Sequence, residues 1–170
     1  MTLLKATRRL SLAALVGLGL SNCNTTRDVD PVDAASSSTV QAMRASFGSL
    51  AGEWVLTNYK NQPLPPTLQS RTTLVLKKES DDNLTVGGRS FVNYYGGSFL
   101  LDETKGLIVS AQGIYSTKIG GSPETMQAEN DYYANLGKAT YFEFDQNGQL
   151  RLYTGPKEDA STEVLYFTKK

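Results

Sequence analysis

The chain contains no histidine. Triads, proton shuttles and metal sites that depend on imidazole are therefore excluded. Cys23 is the one cysteine among 170 residues, so no intrachain disulfide can form. A domain of this size can do without one if its core is adequate. A membrane-spanning run is also missing: the apolar stretch from Leu10 to Leu20 (LSLAALVGLGL) falls well short of the ~20 residues needed to cross the hydrocarbon core. Neither sign of charge is in excess, with 17 basic and 17 acidic residues. The balance is uneven, because Lys5, Arg8 and Arg9 lie in residues 1–22 and no acid does. The remainder carries 14 basic against 17 acidic groups, a net charge of −3. A mildly acidic domain offers no electrostatic footprint for nucleic acid.

What is present begins with an address. A positive n-region, a short apolar core and Leu20-Ser21-Asn22-Cys23 resemble a bacterial lipoprotein signal rather than a transmembrane helix. The motif implies cleavage before Cys23 and a covalent lipid on its thiol; no other cofactor and no metal are expected. Asn22 departs from the usual Gly or Ala. A plain secretory signal with an incidental thiol is the competing reading, but an exposed free thiol in an exported chain invites oxidation. Thr7-Arg8-Arg9-Leu10 also looks like a twin-arginine signal, although Ser11 stands where an aromatic is preferred. Asn24, in place of an Asp, favours the outer membrane over the inner one. Residues 24–46 are rich in Asn, Thr, Ser, Asp and Ala and read as a polar tether. Asp28, Asp30 and Asp33 lack the glycine and distal glutamate of a calcium loop. Val40, Met43 and Phe47 are spaced for a helical turn that docks on the domain.

Hydrophobic residues make up 39% and charged residues 20% of the chain, enough apolar matter for a core and too much for a disordered segment. From Leu50 onward, period-two patterns dominate. Strands are expected at 53–59, 71–78, 84–87, 92–95, 98–101 and 107–110. Ser122-Pro123-Glu124 predicts a helix start, Met126, Tyr133 and Leu136 its apolar stripe, and Gly137 its cap. Three more strands surround a hairpin at Gln146-Asn147-Gly148-Gln149 and end at 164–168. About eight short strands and one helix predict a mainly β fold: a strongly bent antiparallel sheet or incomplete barrel, with the helix covering an opening or edge.

Gly88-Arg89-Ser90-Phe91-Val92-Asn93-Tyr94-Tyr95-Gly96-Gly97-Ser98-Phe99 resembles the META/HslJ signature. Gly88, Asn93, Tyr95, Gly97 and Phe99 fall in register, while Phe91 and Val92 replace its Gly-Cys. Ser116-Thr117-Lys118-Ile119 resembles a second family block, and Glu129, Tyr133 and Leu136 match the helix that follows it. Leu50, Gly52 and Trp54 match the opening pattern, and Leu165-Tyr166-Phe167 the last strand. The resemblance spans residues 48–169 within a domain drawn here as 47–170. It implies a small lipocalin-like or incomplete β-barrel with one helix and an envelope location, often lipid-anchored. Relatives are linked to heat shock, envelope stress, antibiotic tolerance and, in protozoa, virulence. No enzymatic activity or settled ligand comes with the family.

The candidates for ligand or partner contact are Arg89, Asn93, Tyr94, Tyr95 and Lys118. Asn93 could face a ligand, but Asn in a glycine-rich segment more often bonds nearby backbone. Tyr94 and Tyr95 point to opposite faces of an extended strand, one to core and one to solvent. Lys118 could meet an anion or be a solvated edge charge. Trp54, Met126 and Tyr133 are read as core. Ser90, Ser116 and Ser122 lack a histidine partner, and Asp81-Asp82 and Asp102-Glu103 read as solvated turn charge, so no catalytic residue is assigned. The expected protein is a non-enzymatic envelope lipoprotein that faces the periplasm from the outer membrane. It would bind a partner protein or aid stress resistance; a lipocalin-like carrier of a small apolar ligand is the alternative. Cys23→Ala is expected to abolish metabolic labelling with a radiolabelled fatty acid and to move the protein into the soluble fraction. Label retained in that variant would rule out Cys23 as the attachment point.

Overall fold

The computed structural model describes residues 37–170. The signal segment, Cys23 and residues 24–36 of the tether lie outside the described residues. The described elements are α1 (Ser37–Phe47), β1 (Gly52–Tyr59), β2 (Thr73–Lys78), β3 (Asn83–Arg89), β4 (Tyr94–Asp102), β5 (Gly106–Val109), β6 (Tyr115–Ser116), α2 (Pro123–Gly137), β7 (Tyr141–Phe144), β8 (Leu150–Tyr153) and β9 (Val164–Lys169). Among the described residues no helix is long and apolar enough to cross a membrane.

The strands form one antiparallel sheet in the order β5-β4-β3-β2-β1-β9-β8-β7, with the short β6 paired to β4. The sheet curls until its edges nearly meet. Leu107 N in β5 donates to the carbonyl of Thr140, the residue before β7, at 2.9 Å. The expected mainly β fold is therefore a nearly closed barrel. Alternation places one set of side chains inside: Leu56, Leu74, Leu84, Phe99, Leu150 and Phe167, from six different strands, are all fully buried. Each such side chain contributes ~1.5–3 kcal/mol relative to exposure. An eight-stranded barrel is just wide enough for side chains to fill it.

The seam between β5 and β7 is sealed by α1. Val40, Met43 and Phe47 recur along one helix face and are buried, and the Phe47 ring lies 6.5 Å from that of Phe142. At the seam Gly106 has φ +81°, and a Cβ there would sit 2.7 Å from both Met43 Cε and the Thr140 carbonyl. Only glycine fits between the helix and the strand edge. Arg44 on α1 pairs with Asp82 at 2.8 Å and with Glu103 at 3.5 Å. It thus reaches the β2–β3 and β4–β5 turns, so α1 lies at one pole of the barrel. The polar tether drawn to residue 46 is correspondingly shorter: residues 37–46 are helical, with three side chains of the helix in the core. One tryptophan ties this pole together, as Trp54 Nε1 donates to the Leu50 carbonyl at 2.8 Å and its ring packs 5.7 Å from that of Phe144.

Three local expectations are corrected. The segments 92–95 and 98–101 are not separate strands; β4 runs unbroken through Gly96 and Gly97. Both glycines are covered by neighbouring residues, so they allow close approach instead of breaking the strand. The buried stripe of α2 is Glu129, Tyr132 and Leu136, and Met126 and Tyr133 are half-buried flanks. The stripe is displaced because a glutamate is one of its inward residues. Gly137 is the last helical residue, and Lys138 at φ −99° leads out without a left-handed cap. The start of α2 is as expected: Ser122 Oγ accepts from Thr125 N at 3.3 Å. If α1 belongs to the folded body, Phe47→Ala should cost ~3–5 kcal/mol in urea unfolding. A change within about 0.5 kcal/mol, as for an exposed site, would return the helix to the tether.

Candidate functional site

The β3–β4 hairpin turns at Ser90–Asn93, and its geometry starts with a glycine. Gly88 has φ +150°, and a Cβ there would lie 2.1 Å from the Thr73 carbonyl. Side chain is therefore forbidden where β3 leans on the start of β2. Beyond it, Ser90 N donates to the Asn93 carbonyl at 2.8 Å, closing the turn.

Into this turn α2 inserts the carboxylate of Glu129, which is 2% exposed. Oε2 accepts from Val92 N at 3.0 Å, from Asn93 N at 2.8 Å and from Ser90 Oγ; Oε1 accepts from Asn93 Nδ2 at 2.5 Å. Burial pushes this carboxyl up, but the bonds from Ser90, Asn93 and Val92 together outweigh it and hold the group below its usual range. The turn thus keeps a buried anion charged with no ion-pair partner among the described residues. Tyr133 lies 2.9 Å from Ser90 Oγ. Because the serine proton goes to the carboxylate, Tyr133 donates.

Asn93 is spent entirely on the fold. Its Oδ1 accepts from Ile119 N at 2.6 Å and Thr117 Oγ1 at 2.7 Å, and its Nδ2 also donates to the Ile119 carbonyl at 3.0 Å. One amide therefore joins β4, the segment after β6 and α2, with its donors and acceptor used. Tyr95 also points inward, at 6% exposure. Its hydroxyl donates to the Thr73 carbonyl at 2.8 Å and lies 2.6 Å from that of Tyr132. Burial raises both phenols well above their ordinary values. The rings of Tyr132 and Tyr133 stand edge-on to Tyr95 at 5.5 and 5.6 Å. These residues form a lock between α2 and the hairpin. Ser90 is fully buried within it, so it offers no nucleophile to solvent.

The lock presents the other candidates outward. Arg89 and Tyr94 are cross-strand partners on β3 and β4, and Tyr94 is 60% exposed. One row over, the register aligns Val75, Gly87, Gly96 and Tyr115. The Tyr115 ring lies across Gly96, where a Cβ would be 2.5 Å from its hydroxyl, and Tyr115 remains 64% exposed. Val75, Lys77, Thr85 and Gly87 border a hollow of about 290 Å³ on this face. Lys118 is exposed just past β6, and Ile119 follows at 52% exposure. The structure therefore leaves Arg89, Tyr94 and Lys118 exposed and takes Asn93 and Tyr95 into the lock.

Two residues were missed by sequence reasoning. Tyr115 carried no legible signal, because its place across Gly96 is set by strand pairing. Glu129 was visible as a family match, but a helix-interior glutamate reads as solvated unless the facing donors are known. The paired acids resolve into turn chemistry: Asp82 and Glu103 meet Arg44, and Asp102 accepts from Thr104 and Lys105 N, which lowers its carboxyl to about 2. A second polar cluster lies on β7 and β8, where Glu143 accepts from Tyr153 and Lys157, each at 2.5 Å, and Asp145 pairs with Arg151 at 3.1 Å.

Fold and lock together define a small antiparallel barrel whose helix is fastened to one hairpin through a buried carboxylate. The chain belongs to the META domain family, whose profile matches residues 48–170. No curated protein matches it significantly. Among solved structures it is similar to the NMR structure of a protein from Burkholderia xenovorans, at 18% identity and a TM-score of 0.52, over 97% of this chain and 99% of that one. At that identity the likeness concerns the fold.

Glu129→Gln should destabilise the domain by roughly 3 kcal/mol, because an amide nitrogen would then face the donors of the turn. The native carboxyl is lower in the folded than in the unfolded chain. Its contribution is thus complete above the unfolded value, ~4.3, and is lost as pH falls through the folded one. Urea midpoints measured from pH 7 down to acid should show a flatter pH slope in the variant. Parallel slopes would mean that Glu129 is not the ionised group.

Proposed function

We propose that this META domain protein is a non-enzymatic, lipid-anchored protein of the bacterial envelope that docks a partner protein on the Arg89–Tyr94–Tyr115 face. The observation that carries the reading is the exposure of Tyr94, Tyr115 and Ile119, the large hydrophobic residues left in solvent among the described residues, all next to the locked hairpin. Tyrosine and arginine are the residues most often found at the energetic centres of interfaces, and a rigid support reduces the ordering cost of binding. The anchor at Cys23 and the outer-membrane, periplasm-facing location rest on the signal-like N-terminus. A role in envelope stress is the corresponding physiological expectation. The interior-carrier alternative has less support, because each of six strands places a fully buried side chain inside the barrel.

A photo-crosslinking amino acid placed at Tyr94 or Tyr115 in cells should give a discrete adduct. The same probe at Asn147, exposed on the β7–β8 turn, should not. Tyr94→Ser with Tyr115→Ser should weaken the captured complex by roughly tenfold or more, each ~1.4 kcal/mol lost being a factor of ten, without shifting Tm. Identical adducts from all three positions, or full binding by the double variant, would count against this face.

A further inference from the structure

The short strand β6 has one neighbour, β4, so its other side is a sheet edge. Thr117 N donates to the Tyr94 carbonyl at 2.9 Å, and Tyr115 pairs with Gly96. In an antiparallel ladder bonded pairs alternate with unbonded ones. Tyr115 and Thr117 therefore turn their N–H groups to β4, and Ser116 turns its N–H and C=O away. Past the strand a side chain continues the alternation. Asn93 Oδ1 accepts from Ile119 N at 2.6 Å, and Asn93 Nδ2 donates to the Ile119 carbonyl at 3.0 Å. Lys118 is thereby left like Ser116. Among the described residues no hydrogen bond takes the backbone N–H or C=O of either one, and residues 115–119 are all exposed. An extended edge with unpaired backbone groups is a template for another strand. This one is held straight on its inner side by β4 and Asn93.

The edge is also charged in one sense. Residues 84–101 and 106–123, which supply nearly all of β3, β4, β5 and β6, contain Arg89 and Lys118 and no acid. Neither cation has an ion-pair partner among the described residues. Lys118 lies in the edge itself. Arg89 pairs with Tyr94, so it lies two strands in from Thr117, roughly 10 Å at the usual strand spacing. A lysine on an edge discourages pairing with a second copy, which brings like charges together. The same lysine attracts an incoming strand that carries carboxylates.

We propose that β6 takes an extended acidic segment of a partner protein as an added strand. The segment bonds through its backbone to Ser116 and Lys118, with a carboxylate beside Lys118. Backbone pairing supplies affinity in such strand addition, and alternate side chains supply selectivity. The inference rests on the docking reading above and specifies its mode, because Tyr115 and Ile119 stand exposed on this same edge.

The probe is a capped heptapeptide, Val-Glu-Val-Glu-Val-Glu-Val, titrated at low salt into the isotope-labelled full-length chain in mild detergent. At saturation, amide exchange at Ser116 and Lys118 should slow by about tenfold or more, with no change at Asn147. A peptide with lysine in place of glutamate should bind more weakly by about fivefold or more. Ser116→Pro removes one outward N–H and none of the bonds to β4, and should weaken binding by about fivefold or more. If that variant does not fold, amide exchange in the unaltered chain decides alone. Absence of saturable binding, protection that spares Ser116 and Lys118, or equal binding of the lysine peptide would overturn the proposal. So would protection of both amides in the peptide-free chain that is lost on dilution, since a second copy would then occupy the edge. Photo-crosslinks from Tyr94 and Tyr115 that keep their yield in Ser116→Pro would overturn strand addition and leave the docking face standing. No such crosslinks from the otherwise unaltered protein would remove the docking face, and strand addition with it.

Discussion

The buried carboxylate of Glu129 is the interaction on which the rest of the structure depends. A charge of this kind cannot stay ionised in an apolar interior unless donors replace its water. Here the replacement comes from one hairpin turn, through Ser90, Val92 and Asn93. The consequence is directional. A hydrophobic contact would let α2 slide or rotate over the barrel end, whereas two oxygens facing fixed N–H groups permit one position. Asn93 then passes the constraint on, since the same amide that bonds Glu129 also holds Ile119 on both its N–H and its carbonyl. Helix, hairpin and the segment after β6 are set by a single polar node.

The opposite pole is built by different physics. There α1 packs over the seam between β5 and β7, with Val40, Met43 and Phe47 buried and a glycine making room. The ion pairs of Arg44 with Asp82 and Glu103 are between side chains well exposed to water and contribute little. Packing tolerates adjustment more readily than a hydrogen-bonded anion does. The barrel therefore has a polar, geometrically fixed pole at α2 and an apolar pole at α1, where the chain enters the described body.

The strands were legible in the sequence wherever alternation was clean, as in Trp54 and Leu56 or Leu74 and Leu76, because burial on one face writes itself as period two. Legibility failed where a local rule was overridden by a neighbour distant in sequence. Gly96 and Gly97 look like breaks until Tyr115 and Ile114 are seen lying over them. A helix-interior glutamate looks solvated until the turn at Ser90–Asn93 is placed against it, so the expected stripe kept Leu136 but took Met126 and Tyr133 in place of Glu129 and Tyr132. Of the contact candidates, the opposite facing of Tyr94 and Tyr95 followed from strand geometry. The inward role of Asn93 followed from its habit of bonding backbone. Tyr115 was missed because its importance lies in its pairing with Gly96, which sequence does not show.

Six strands each place a fully buried side chain inside the barrel, so the proposed recognition falls to its outer faces and its ends, and these are not equivalent. The aromatic face around Tyr94 adjoins the α2 pole, beside the Glu129 lock. The α1 pole is where the described chain begins. The division of physics follows the same line: the end that holds the aromatic face in fixed geometry is organised by a hydrogen-bonded charge, and the other end is closed by packing.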